Sequence, residues 1–182
     1  MRHLLIFSIC ILYFLSSCED RLSWEKRYDE LISFDKNEEI RKLEKLDINQ
    51  RFNAQGKIKP RGKFHAFDET CPRCEGISSI KSSGDINLHL EKENMLAFDK
   101  DSISSFILYV TDEYSNDQKY GGVQGLREHG RIIYINPKTY AIDYVINMQG
   151  NSSSDKVYVR RAQQEVVSSA VGPLPIVNAI KE

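Results

Sequence analysis

The spacing of apolar residues predicts helices at the start of the domain. Across residues 23–47, apolar side chains recur every three or four positions, as Trp24, Tyr28 and Leu43 illustrate. Charged residues occupy the positions between them, as on the solvated face of a helix. Asp35 stands where an N-cap is expected, three residues before a glutamate. The pattern predicts two short helices, or one helix that breaks near Asp35.

The period changes from helical to alternating after a basic loop at residues 49–63. The lysines and arginines of this loop could contact anionic headgroups or glycan-linked phosphates, or could simply keep the loop soluble. Residues 64–67 then predict a short strand. Ile86, Leu88 and Leu90 alternate with polar residues, and this two-residue period predicts another strand.

Later segments carry the most definite strand patterns. Residues 106–110 are continuously apolar, as in a strand that is covered on both faces. Residues 131–135 and 141–148 flank an Asn-Pro turn and predict a hairpin. Residues 111–130, rich in polar residues and glycine, predict an ordered loop. On the second strand of the hairpin, the expected buried face carries Ile142, Tyr144, Ile146 and Met148.

The order of elements predicts the fold class. Residues 157–159 could form a further strand, and residues 162–171 predict a helix that ends at Gly172-Pro173. We therefore expect residues 23–182 to form a single α+β domain, an antiparallel sheet of about four to six strands with N-terminal helices and a C-terminal helix. Helices on one face of a curved sheet, as in cystatin-like proteins, would accommodate this order. That analogy assigns no function.

The first residues of the chain predict export. A short basic start precedes an apolar run that ends in small residues, which is the pattern of a secretory signal peptide. The run is shorter than the roughly 20 residues that a membrane-spanning helix needs. An ordinary cleaved signal peptide and an uncleaved anchor helix are the simplest interpretations of such a segment, and the residues at its end point to a third.

The segment Leu15–Cys18, with the sequence Leu-Ser-Ser-Cys, resembles the lipobox of bacterial lipoproteins. The resemblance implies that residues 1–17 are removed as a signal peptide and that Cys18 carries lipid. Residues 18–22 would then be the lipidated anchor and tether. Because Glu19 and not aspartate follows the cysteine, the resemblance favours the outer membrane, facing the periplasm, over the inner membrane. It says nothing about the domain that follows.

Length and charge balance bear on the size of the domain and on its partners. Removal of residues 1–17 from the 182-residue chain leaves 165 residues, enough for one domain with a core. Of the 25 Lys and Arg residues only Arg2 is removed, so 24 basic residues face 26 acidic ones. This balance gives no reason to expect nucleic acid as a partner.

Cys71 and Cys74 are the cysteines of the domain. Exported proteins meet an oxidising compartment, so we predict that these two form a structural disulfide. The Cys-Pro-Arg-Cys motif also resembles glutaredoxin-type active sites, and Cys-x-x-Cys resembles half of a zinc ribbon whose second cysteine pair is missing here. A redox centre and a metal site therefore stay open as alternatives to the disulfide.

A glycine-rich stretch is a possible ligand loop. Tyr120, Gly121, Gly122 and Gly125 precede His129, and glycine lets the backbone come close to a bound group. The stretch lacks the spacing of a dinucleotide-binding motif. A glycine-rich hairpin connection is the alternative.

Two functional hypotheses follow. The first is a lipid-anchored envelope protein that binds an unidentified envelope protein or ligand and is not an enzyme. The second is a small envelope thiol-disulfide protein centred on Cys71 and Cys74. The sequence contains no His-Glu-x-x-His or Gly-x-Ser-x-Gly motif and no obvious pair of catalytic carboxylates, which favours the first hypothesis. It predicts neither a cofactor nor a metal.

Overall fold

The computed structural model describes residues 23–46, 58–69, 79–120, 123–150, 166–169 and 171–182, and for residues 112–120, 123–126 and 166–169 it describes the backbone alone. In chain order the helices are α1 (residues 23–31), α2 (Lys36–Glu44), α3 (Gly84–Lys92) and α4 (Pro173–Lys181). The strands are β1 (Lys63–Glu69), β2 (Ile80–Ser82), β3 (Ile103–Tyr120), β4 (Val123–Ile135), β5 (Ile142–Gln149) and β6 (Val166–Ser169).

The strands form one sheet in the order β2-β1-β3-β4-β5, and β6 pairs with the part of β4 that lies beyond β5. The predicted α+β class, with N-terminal helices and a C-terminal helix, is confirmed. The sheet is mixed and not wholly antiparallel, because β1 runs parallel to β3 and β4 runs parallel to β6. Parallel neighbours need a crossover connection, and β2 with α3 supplies it between β1 and β3.

Helices cover both faces of the sheet. On one face, α1, α3 and α4 pack against alternate strand residues such as Ala66. On the other face, Leu43 of α2 is fully buried in a cluster with Phe106. Burying a leucine side chain stabilises a fold by about 1.5–3 kcal/mol, so α2 contributes to the core as the other helices do. The expectation of helices on one face is therefore wrong, because α1 and α2, which are separated only by residues 32–35, pack on opposite faces of the sheet.

The two predicted N-terminal helices are confirmed, and the interruption between them lies at the expected place, near Asp35. Asp35 is the N-cap of α2, and its carboxylate accepts hydrogen bonds from the backbone N–H of Asn37 at 2.9 Å and of Glu38 at 3.3 Å. These bonds satisfy amide groups that have no partner within the helix. Lys42 pairs with Glu38 one turn later on the solvated side.

Residues 86–90 belong to helix α3, so the strand predicted there is wrong. Ile86 and Leu90 are four residues apart, and that spacing places two residues on one face of either a helix or a strand. Asn87 distinguishes the two structures, because it is fully buried beside them, whereas a strand would turn it to the opposite face. Ser83, in an extended conformation, begins the helix as its N-cap.

Residues 111–130 are largely strand and not the predicted ordered loop. β3 continues to Tyr120 and β4 begins at Val123, and these two residues are paired across the strands. Only residues 121 and 122, both glycine, separate the strands in the sequence, and Gly-Gly between two strands is a hairpin signal. The sequence did not predict these strands because alternation of apolar residues is the usual evidence for a strand, and this segment is mostly polar.

The hairpin predicted from residues 131–148 is confirmed, but Ile142 packs on the opposite face of the sheet from the other three residues that were expected beside it. Asn136 closes its turn by accepting two backbone hydrogen bonds, at 3.0 and 3.1 Å. The register shifts between the Tyr134–Tyr144 pair and the Ile135–Ile142 pair, so β5 carries one extra residue at this point. As a result Ile142 packs on the α2 side of the sheet, whereas Tyr144, Ile146 and Met148 pack on the other side.

The C-terminal helix begins later than the sequence predicted. Within residues 162–171, which were expected to be helical, Val166–Ser169 is strand β6. Gly172 is the N-cap of α4 and Pro173 lies at its start, so the Gly-Pro pair begins a helix and does not end one. Proline suits the first turn because its missing N–H would have no helical partner there. The strand expected at residues 157–159 lies outside the described residues.

Candidate functional site

A side chain takes the place of a neighbouring strand at the edge of β1. β2 pairs only with Phe67–Glu69 of β1, and Leu96 bridges Phe64. Between these contacts, Asn87 Oδ1 accepts a hydrogen bond from Ala66 N–H at 2.8 Å, and Asn87 Nδ2 donates to Ala66 O at 3.0 Å. Asn87 is fully buried, so its amide gives partners to backbone groups that water cannot reach.

Tyr28 and His65 extend this polar contact into the interior. Asn87 Nδ2 donates to Tyr28 Oη at 3.2 Å, and Tyr28 Oη lies 3.0 Å from His65 Nε2. The His65 ring is completely buried, with its centroid 5.9 Å from that of Tyr28 and 4.9 Å from that of Phe34. Three distant parts of the chain, α1, β1 and α3, thus meet in one buried polar centre.

Burial sets the protonation states in this centre. Loss of hydration lowers the pKa of His65 to about 3; a backbone hydrogen bond at Ala97 opposes the shift, and the charge of Lys36 adds to it. Burial likewise raises the pKa of Tyr28 above its ordinary value, although a hydrogen bond with Ser82 opposes the shift. Both groups are therefore neutral near neutral pH. A neutral imidazole can accept the hydrogen bond that the phenol donates.

A half-open cleft of about 330 Å³ lies beside this centre, at the β2 edge of the sheet. Residues of α1, β1, β2 and the beginnings of α2 and α3 line it, and Tyr28 belongs both to the cleft and to the buried centre. Trp24 and Tyr28 stack in its wall with ring centroids 4.8 Å apart. Its charged lining residues are Glu25, Asp29, Lys36, Asp68, Lys81 and Asp85.

The charges of this β2-edge cleft are of both signs, with four carboxylates against two ammonium groups. Lys36 forms an ion pair with Asp29, and Lys81 is the cross-strand neighbour of Asp68. Burial raises the pKa of Asp68 above its ordinary value, and a hydrogen bond with Ser83 and the charge of Lys81 oppose this shift. The cleft therefore suits a ligand group that is cationic or carries both charges, because such a group would compensate the poorly hydrated carboxylate.

A second polar cluster joins α2 to the turn between β4 and β5. Glu39 is 2% exposed and accepts hydrogen bonds from Tyr140 Oη and, at 2.7 Å, from Lys100 Nζ. Burial acts to raise the pKa of Glu39, but the bonds from Lys100 and Tyr140 outweigh it and leave the pKa below its ordinary value. Tyr140 has a φ of 58°, a region that favours glycine. We interpret this cluster as a structural connection that holds Tyr140 in place.

Glu128 forms a third buried polar contact. It accepts hydrogen bonds from Tyr109 Oη at 2.6 Å, from Thr111 Oγ1 at 3.2 Å and from the backbone N–H of Val171 at 3.3 Å. The carboxylate thereby joins β3 and β4 to the segment that precedes α4. These three donors satisfy the oxygens of a buried carboxylate and stabilise the contact, so this cluster too is structural.

The site residues that were predicted from the sequence and that the structure describes do not line the β2-edge cleft. Cys18, Gly121 and Gly122 lie outside the described residues, as do Cys71 and Cys74, whose connection leaves β1 at Glu69 and returns at Ile80. Tyr120 ends β3, while Gly125 and His129 lie in β4 and are paired with Val167 and Gln149. The described part of the possible ligand loop is therefore a hairpin, the alternative that the sequence left open.

Comparisons with known proteins do not identify the site. The chain matches no family model, no curated protein and no solved structure. Within the described residues, no group of three or more His, Cys, Asp or Glu side chains is arranged to hold a metal ion. No helix in this part of the chain is long and apolar enough to cross a bilayer. The interpretation of function depends on the cleft and on the N-terminal sequence.

Proposed function

We propose that this chain is a bacterial envelope lipoprotein, anchored to a membrane by lipid on Cys18, whose domain binds a partner protein or ligand without catalysing a reaction. The outer membrane, facing the periplasm, is the favoured location because Glu19 follows the cysteine. The observation that carries the binding role is the charged cleft at the β2 edge. Its walls are helices and a strand joined through Asn87, and sites on such elements keep their geometry better than sites on loops.

The buried centre beside the cleft supports a structural and not a catalytic role. A general base needs access to its substrate and a pKa near the working pH. His65 has neither, since it is completely buried and its pKa is about 3. The carboxylates and ammonium groups of the cleft instead offer charge-assisted hydrogen bonds to a bound partner.

Detergent phase partitioning tests the anchor. The mature protein should enter the detergent phase, because two or more acyl chains give stable attachment. Cys18→Ser should stay in the aqueous phase. Cys10→Ser is the matched control, since Cys10 lies in the segment that is removed and its loss should change nothing. If the wild-type protein and Cys18→Ser both partition into the aqueous phase, the protein carries no lipid.

Photo-crosslinking in intact envelopes tests the binding role. A photoreactive amino acid in place of Ser82, which lines the cleft, should give a discrete crosslinked product. Asp68→Lys, which reverses a charge in the cleft, should abolish the product. The same photoreactive group in place of the exposed Lys138 is the control, and it should not give that product. Absence of a product at position 82, or the same product from both positions, would contradict binding at the cleft.

One observation favours the alternative, a thiol-disulfide protein. Cys71 and Cys74 belong to the segment of the sequence that joins Glu69 to Ile80, and the strand residues next to these two ends, Asp68 and Lys81, line the cleft. Alkylation at a series of glutathione-buffered potentials separates the two functions. A midpoint between about −270 and −120 mV would favour the redox protein, and one below about −300 mV a structural disulfide.

A further inference from the structure

An exposed basic segment leads into β1. Residues 58–63 include the cations Lys59, Arg61 and Lys63, and they begin with Ile58, whose side chain is 80% exposed. Single exposed apolar residues are common on protein surfaces, so Ile58 alone decides nothing. An aliphatic side chain among several cations is, however, the composition of segments that lie at the interface of a membrane.

A cleft beside this segment has matching chemistry. It has a volume of about 480 Å³, and Phe64, Met95 and Ile180 contribute apolar surface to it. Its charged lining residues are the cations Lys59, Arg61 and Lys181 together with Glu182. Lys59 Nζ donates a hydrogen bond to Ala179 O at 2.7 Å, which fixes that ammonium group at the end of α4. Apolar surface next to fixed cations suits an amphiphile with an anionic head.

Two ion pairs connect this surface to α1 through the end of α3. Glu91 at the end of α3 forms an ion pair with Arg27 of α1 at 2.8 Å. Glu93, two residues later, forms an ion pair with Lys181 of the cleft at 2.6 Å. The residues between Cys18 and α1 can span at most about 20 Å even when fully extended. A lipid on Cys18 would therefore hold this side of the domain close to the bilayer.

We infer that residues 58–63 and the adjoining cleft form a membrane-docking surface that binds anionic phospholipid headgroups of the bilayer to which the protein is anchored. The inference rests on the proposed lipid anchor for the choice of that membrane. The cations are attracted to the anionic surface, and each contributes about five-fold in affinity when it lies near the headgroups. Ile58 enters the interfacial layer and adds apolar burial. Docking fixes the orientation of the domain on the membrane.

Tryptophan quenching by brominated phospholipids tests the docking surface. The full mature protein is reconstituted into brominated vesicles, one set containing phosphatidylglycerol and one set of phosphatidylcholine alone. The variant Ile58→Trp is compared with the wild type, whose one tryptophan, Trp24, is buried and supplies the background. We expect strong quenching at position 58 in the anionic vesicles and several-fold less in the neutral ones.

Charge reversal identifies the groups responsible. The substitutions Arg61→Glu and Lys63→Glu are added to the Ile58→Trp variant. Because two cations are lost, the affinity of docking should fall by about 25-fold or more, and the quenching should be abolished. Lys45→Glu with Lys138→Glu is the control, because it makes the same change of net charge at exposed positions elsewhere and should leave the quenching unchanged. No quenching at position 58 in anionic vesicles, or equal loss in both charge variants, overturns the inference. Flotation with neutral vesicles reports the lipid anchor separately, so failure of the anchor and failure of docking are distinguishable.

Discussion

The protein should lose stability below neutral pH because His65 is buried in its neutral form. The side chain is 0% exposed and its pKa is about 3 in the folded protein, against an ordinary value of 6.5. Between these values the unfolded chain binds a proton at His65 and the folded protein does not. Stability therefore rises with pH in this window and falls as the pH drops below 6.5. The contribution is fully present above the unfolded pKa.

The size of the effect follows from the unfolded chain alone, provided that the folded protein does not bind the proton in the range tested. Lowering the pH from about 7.5 to about 5.5 should cost about 1.4 kcal/mol through His65. Urea denaturation at a series of pH values measures this free energy, with the slope of the transition checked for constancy. The carboxylates contribute mainly below this range, because their ordinary pKa values lie near 4.

Two variants isolate the contribution of His65. His65→Gln will be less stable than the wild type at every pH. Over the same pH range, however, its free energy of unfolding should fall by about 1.4 kcal/mol less than that of the wild type. His89→Gln is the matched substitution outside the buried centre, because it removes a histidine whose Nδ1 lies 2.9 Å from Asp85 O on the exposed side of α3. Parallel stability curves for the wild type and His65→Gln would show that the folded protein accommodates a charged imidazole, and the reasoning would fail.

Three further substitutions test the buried polar contacts, each by the change in denaturant midpoint. Asn87→Leu should cost about 1–3 kcal/mol because the buried N–H of Ala66 loses its acceptor, whereas Asn178→Leu on the exposed side of α4 should stay within about 0.5 kcal/mol. Glu39→Gln should cost about 1–3 kcal/mol at neutral pH, and the difference from wild type should shrink as the pH falls through the lowered pKa of Glu39. Gly130→Ala should cost about 1–3 kcal/mol because an added Cβ would lie 2.8 Å from Tyr109 Cζ and 2.9 Å from Val110 O, while Gly172→Ala, whose Cβ would meet Pro175 at 3.9 Å, should be tolerated. Equal midpoints for Asn87→Leu and Asn178→Leu, or for Gly130→Ala and Gly172→Ala, would contradict the corresponding contact. Equal midpoints for Glu39→Gln and the wild type at neutral pH would do the same for the Glu39 cluster.

The elements that the sequence predicted correctly are those whose apolar pattern and turn chemistry agree. The hairpin at residues 131–148 combines β-branched residues with an asparagine that closes the turn, and α2 combines a helical stripe with Asp35 at its N-cap. The errors arose where one of these signals was ambiguous. In α3, the spacing of Ile86 and Leu90 satisfies a helix and a strand equally, and burial of Asn87 depends on a tertiary contact that no local pattern reveals.

The buried centre could not be predicted for a related reason. His65 follows Tyr28 by 37 positions in the sequence, and Asn87 follows it by 59 positions. Nothing near any one of these three residues in the sequence indicates the other two. His65 could be placed on a strand, because Phe64 to Phe67 predicted one, but its complete burial depends on α1 and the start of α2 packing across that strand. The β2-edge cleft has the same origin, since its charged residues come from five separate elements. Sequence patterns specify such elements individually, whereas the site exists only after they pack.

Under the binding function that we propose, the way in which Asn87 joins these elements determines how the cleft should bind its ligand. One amide connects α3 to β1, and its contact with Tyr28 connects both to α1, so the walls of the cleft cannot separate without breaking those bonds. Leaving a buried backbone group without a partner costs about 1–3 kcal/mol, which makes such opening rare. A ligand must therefore enter a cleft that already has its shape, and backbone shifts on binding should be about 1 Å or less. With no closing step to slow it, association should be governed by attraction to the surplus carboxylates, and its rate should fall steeply as salt concentration rises.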